Sequence, residues 1–139
     1  MSGLQRGSVA VVGAAESDLG QVAVHTSVLD LMAQATMRAL DDCGLKLSDV
    51  DALLSATTQS RNPAMALAEY LRIKPKYFDG THVGGSSFMS HVAHAQAAIQ
   101  QGVCEVAVIA YGSTQRTVSR AAASPREFHP YEGPYRPFL

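Results

Sequence analysis

Residues 77–112 read YFDGTHVGGSSFMSHVAHAQAAIQQGVCEVAVIAYG, and the fold follows from their alternation. An extended run, Tyr77 to Val83, meets the break Gly84-Gly85. Ser86 or Ser87 can cap a helix that continues through Gln101, with Gly102 as its stop. Glu105 to Ala110, EVAVIA, is a short apolar, valine-rich run of the kind a strand buried on both faces shows. Strand, helix and strand in that order make a unit whose two strands lie parallel.

The same alternation extends upstream. Ser8 to Ala14, SVAVVGA, reads as another buried strand closed by glycine. A loop with Glu16, Asp18 and Gly20 follows. Thr26 or Ser27 can cap a helix running to about Cys43, whose apolar positions Val28, Leu29, Leu31, Met32, Ala35, Ala39 and Leu40 form one broad stripe. Asp30 suits the positive helix end, and Gly44 suits a left-handed stop. Asp51 to Ala56, DALLSA, predicts a strand. Asn62-Pro63 predicts a cap with proline in the first turn, then a short helix from Ala64 to Leu71 that Pro75 ends. The expected class is α/β, with a mostly parallel sheet and helices on both faces. Ligands collect at the carboxyl ends of such strands, which puts Gly13, Gly84 to Ser87 and Tyr111 to Thr114 near one rim.

Composition bounds the rest. The chain has 139 residues, 47% hydrophobic and 17% charged, which is enough for one core and too apolar for disorder. A formal charge of -1 gives no electrostatic reason to expect nucleic acid or an anionic membrane. No run approaches the roughly 20 apolar residues that span a bilayer, so a cytoplasmic protein is expected. Residues 1–112 carry the α/β pattern. Residues 113–139 hold four arginines and four prolines without apolar periodicity. They read as the start of a loop region, and the chain as the front part of something longer or one whose tail packs on another chain.

The Gly84-Gly85-Ser86-Ser87 junction is the candidate for chemistry. A strand that turns there into a helix presents free N–H groups and a positive helix end to an anion or oxyanion. The plainer role is a turn and an N-cap. Phe88 stands where the serine-hydrolase elbow G-x-S-x-G needs its second glycine. His91 and His94 share a helix face but are too few for a metal site, and read as polar residues at a surface or interface. Cys43 and Cys104 have no neighbouring histidine or helix start to activate them, and read as inert reduced thiols. VVGAAESDLG does not fit the dinucleotide pattern G-x-G-x-x-G. Arg116, Arg120, Arg126 and Arg136 could meet phosphates, or simply face water.

Several stretches, in serial order, resemble the N-terminal part of the thiolase superfamily in its sterol-carrier-protein-type (lipid-transfer) branch. They are VAVVGAAESDLG at 9–20, LDLMAQATMRALDDCGL at 29–45, DVDALL at 49–54, AEYL at 68–71, VGGSSFMSHVAHAQAAIQQG at 83–102 and EVAVIAYGSTQR at 105–116. FHPYEGPYRPFL at 128–139 resembles the start of that branch's loop region.

The resemblance implies the first α/β half of a two-half, five-layered fold that typically dimerises. It also implies an acyl-CoA thioester as substrate, with no separate cofactor and no metal. The family's nucleophilic cysteine falls at Gly85 or Ser86 here, so the cysteine is absent. Ser86 takes the nucleophile-equivalent position, and Gly84, Gly85 and Ser87 the thioester-binding positions. A serine hydroxyl is a poor nucleophile without a base. The reading is therefore a thiolase-like, acyltransferase-family segment of altered chemistry. Its alternatives are a retro-aldolase on a steroid- or fatty-acyl-CoA working with an OB-fold, zinc-ribbon partner, and a non-catalytic lipid-transfer or scaffold subunit. Tyr77 to His82 is expected at a homodimer contact, as an edge strand with exposed backbone groups.

Overall fold

The computed structural model of the chain describes residues 5–117. They form helix α1 (Val28–Cys43), strand β1 (Ala52–Ser55), helix α2 (Pro63–Leu71), strand β2 (Tyr77–Asp79), helix α3 (Ser87–Gln100) and strand β3 (Ala107–Ala110), with a single 3-10 turn at Leu47–Asp49. The three strands make one parallel sheet in the order β2-β1-β3.

Strand β1 is central because both of its faces are apolar. Leu53 turns to one side, where Val28, Met32, Ala64, Leu67 and Ala68 of α1 and α2 cover it. Ala52 and Leu54 turn to the other, against Ala95 and Ala98 of α3. A strand clad on both faces cannot alternate apolar with polar side chains, which is why ALLS reads as a continuous apolar run. The α/β class, the parallel sheet and the helices on both faces are as the sequence predicts.

Local signals set most element ends. Ser27, not Thr26, caps α1: its hydroxyl accepts from the Asp30 amide at 3.1 Å, while the Asp30 carboxylate accepts from the Ser27 amide at 2.7 Å. Gly44, with φ 72°, closes that helix. Helix α2 begins on Pro63, and the Asn62 side chain makes no capping bond. It ends before Pro75: Arg72 adopts a left-handed φ of 56°, and its amide bonds back to Ala68 and Glu69.

Residues 8–14 depart from the expectation. They belong to no strand, and Val11 is 82% exposed. The segment starts near α3, where Gln100 Nε2 donates to the Gln5 carbonyl at 3.0 Å. It ends on the last turn of α1, where the Ala14 amide donates to Asp42 Oδ2 at 3.2 Å. A cleft of about 900 Å³, walled by α1, α3 and the outer edge of β3, separates it from the sheet. The valine content suits an interior strand, but among the described residues no strand lies between this segment and β3 to pair with it. Beyond it, Arg38 and Gln34 of α1 grip Asp18 and fix the following loop.

Gly13 also leaves the predicted rim. Helix α1 runs from Val28, beside Gly112 at the exit of β3, to Cys43 at the opposite end of the sheet. Gly13 packs on the Ala39 carbonyl, so it lies toward the amino ends of the strands.

Candidate active site

The turn from β2 into α3 lies at the carboxyl end of the sheet. Gly84 has φ 73°, a conformation that a side chain disfavours, and it bends the chain into α3. The two serines then divide the work. Ser87 is fully buried; its hydroxyl accepts from the Val83 amide at 2.9 Å and donates to the Gly84 carbonyl at 2.6 Å. Ser86 occupies the capping position with φ -78° and ψ -5°, a helical conformation that keeps its side chain from capping. Its hydroxyl is exposed, as are Gly84 and Gly85. Ser87 therefore shapes the turn, and Ser86 faces outward from it. Among the described residues no carbonyl takes the Phe88 amide, which leaves a helix-start donor beside Ser86.

The exit of β3 borders this turn. Tyr111 packs edge-on against Phe88, with ring centroids 5.3 Å apart. The loops after β1 and β3 are tied by Thr57 and Gln59, which sequence reasoning does not single out, to Gly112 and Thr114 of the predicted rim. The Thr57 hydroxyl donates to the Gly112 carbonyl at 3.1 Å, and the Gln59 side-chain amide exchanges two hydrogen bonds of 2.9 Å with Thr114. Gly84 to Ser87 and Tyr111 to Thr114 thus share the rim that the sequence predicts, without Gly13. Arg116 is exposed, whereas Arg120, Arg126 and Arg136 lie outside the described residues.

Neither histidine is a plain surface residue. His91 is fully buried, with Nε2 3.0 Å from the Thr81 carbonyl and its ring edge-on to Phe88. His94 bonds through Nδ1 to Asp79 Oδ2, and the Thr81 amide donates to Asp79 Oδ1 at 2.7 Å. Burial pushes the Asp79 carboxyl up, but the bonds from Thr81 and His94 outweigh it and hold the group below its usual range. A carboxyl lowered by folding adds stability that is fully present above about pH 4 and is lost as pH falls through the lower folded value. Urea denaturation is expected to show wild type more stable than Asp79→Asn at pH 6, with the gap closing below about pH 4. A gap independent of pH would show that the charge contributes nothing.

Both cysteines lie away from the turn. The Cys43 thiol donates to the Ala39 and Leu40 carbonyls at the far end of α1. Cys104 is buried beside Asp51 at the amino end of the sheet, and burial pushes its thiol up. No thiol stands at the start of α3. Among the described residues no three His, Cys, Asp or Glu gather in a metal-binding group, and no helix is long and apolar enough to cross a membrane.

No protein-family model matches the chain. Over 106 residues, 76% of this chain, it is 36% identical to the 17-hydroxy-3-oxo-4-pregnene-20-carboxyl-CoA lyase of Mycobacterium tuberculosis. It spans 27% of that relative's length. The Ltp2-ChsH2(DUF35) aldolase superposes with a TM-score of 0.63 at 28% identity, covering 80% of this chain and 30% of that one. A monomeric SCP2-thiolase like protein type 1 from Mycobacterium smegmatis superposes with a TM-score of 0.56 at 20% identity, covering 70% and 22%. The parallel sheet clad by helices, with its likeness to these structures, defines a thiolase-like α/β protein. The fold is thus the thiolase-like one that the sequence resemblance implies.

Proposed function

We propose that the whole protein is a carbon–carbon lyase that cleaves a β-hydroxyacyl-CoA thioester by a retro-aldol step. The observation that carries this reading is the start of α3, where an unclaimed amide and an exposed hydroxyl meet with no thiol in reach. Thiolysis and Claisen condensation need an acyl-enzyme on a strong nucleophile. Retro-aldol cleavage does not. A base removes the β-hydroxyl proton, the Cα–Cβ bond breaks, and its electron pair moves into the thioester as an enolate. The β-carbon leaves as a ketone or aldehyde, and the α-carbon is then protonated. The Phe88 amide and the positive end of α3 would hold the enolate oxygen, with Gly84, Gly85 and Ser86 lining the approach and Ser87 holding the turn.

The likeness to a carboxyl-CoA lyase and to an aldolase supports this chemistry over the acyltransferase reading. Coenzyme A enters as part of the substrate, and the step calls for no resident cofactor. The base is not assigned to any residue from 5 to 117. The reading includes a cytoplasmic protein and a partner protein of the OB-fold, zinc-ribbon kind. It also includes a homodimer through residues 77–82, where β2, an edge strand among the described residues, carries the exposed Phe78.

The natural-length gene product, purified alone and with its partner, should release a ketone or aldehyde from a β-hydroxyacyl-CoA. It should leave acetoacetyl-CoA intact when free CoA is added. Thiolysis without carbonyl release would reinstate the acyltransferase. Silence in both assays, with lipid retained through purification, would make the protein a lipid-transfer or scaffold subunit.

A further inference from the structure

Three side chains of α3, Ser87, His91 and His94, stand at positions i, i+4 and i+7 and share one helix face. Each holds a different residue of the segment leading into the helix. Ser87 takes the Val83 amide, His91 the Thr81 carbonyl, and His94 the Asp79 carboxylate. Alternate residues of an extended chain repeat about every 6.6 Å, close to the rise of about 4.5–6 Å between these helix positions. The segment is thereby fastened at every second residue along the polar stripe of α3. We infer that Ser87, His91 and His94 are positioning residues that hold residues 79–84 in place and so aim the amide donor at the start of α3. This rests on the reading of that turn as the thioester site.

The bonding of His91 separates this role from space filling. A carbonyl can only accept, so Nε2 donates to it. Among the described residues Nδ1 is buried and has no partner. An unpaired buried polar atom costs stability, and a leucine or phenylalanine of similar size would avoid that cost. What the imidazole provides in exchange is one directed bond, from Nε2 to the Thr81 carbonyl, two residues from the Val83 amide that Ser87 holds.

Hydrogen–deuterium exchange on the chain tests the inference without any substrate. His91→Leu should speed exchange at residues 81–88 roughly tenfold, as expected when one bond holding a locally opening segment is lost, with β1 and α1 unchanged. His91→Gln keeps a donor near the Nε2 position and should restore protection. His94→Ala, at a partly exposed position, should loosen residues 79–82 without threatening the fold. In the whole protein, His91→Leu should lower kcat roughly 10–100-fold with KM little changed, and Gln should recover it. Unchanged exchange at 81–88 in His91→Leu and at 79–82 in His94→Ala overturns the inference. So does a Gln variant as loose as Leu, or loosening spread evenly over the chain in His91→Leu with none in His94→Ala. A wild type that turns over no thioester overturns the proposed lyase and leaves the exchange result to stand or fall by itself.

Discussion

Gly112→Ala is expected to destabilise the chain by about 3 kcal/mol, the upper range for forcing extra volume into a packed site. A β-carbon there would stand 2.7 Å from the Val28 carbonyl oxygen and 2.9 Å from Met32 Cγ. The first is backbone at the start of α1, fixed by the Ser27 and Asp30 caps, and cannot swing aside as a side-chain tip could. Relief requires parting β3 from α1, and that opens the core around Met32 and Leu53. The Thr57 bond to the Gly112 carbonyl would move with it, so the damage should reach the rim. Urea denaturation with an unchanged m-value would measure the loss. A cost under about 0.5 kcal/mol would mean that α1 does not press on this residue as the structure shows.

Asp51→Ala is expected to cost about 2–3 kcal/mol, because charge-assisted bonds to backbone are worth more than neutral ones. Asp51 joins all three strands at their entrance. Its carboxylate accepts from the amides of Glu105 and Val106, each at 2.9 Å, and pairs with Lys76 at 3.3 Å. Its carbonyl accepts from the amides of Lys76 and Tyr77. Burial pushes the carboxyl up, but the Val106 and Glu105 amides and Lys76 outweigh it and hold the group low. Asp51→Asn retains an acceptor oxygen and should lose about half as much. Equal losses in the two variants would show that the charge is irrelevant; no loss in either would show that Asp51 does not hold the strand entrances together.

What the sequence discloses here divides by the range of the interaction. Ser27, Asp30 and Gly44 announce α1 because caps act within a few residues. DALLSA and EVAVIA announce their strands because burial on both faces leaves only apolar side chains. SVAVVGA carries the same composition and misleads, since pairing depends on a neighbour and valines do not encode one. The end of α2 at Leu71 is legible, but its means is not, because nothing in the sequence favours a left-handed Arg72. The turn Gly84 to Ser87 is legible as a break before a helix. Which serine is buried is not, since that depends on backbone angles at Ser86. His91 reads as a polar residue at a surface or interface because its partner is the Thr81 carbonyl, and a backbone group leaves no trace in the one-letter code. Thr57 and Gln59 escape because their contacts join loops 55 residues apart.

Strand β3 carries AVIA, without the lysine, proline or bulge that proteins use to discourage stray strand addition. Among the described residues its outward peptide groups meet no partner, and oily walls stand on either side. During synthesis this rim is a template that would accept any β-prone chain arriving first, so correct maturation becomes a race between the intended occupant and aggregation.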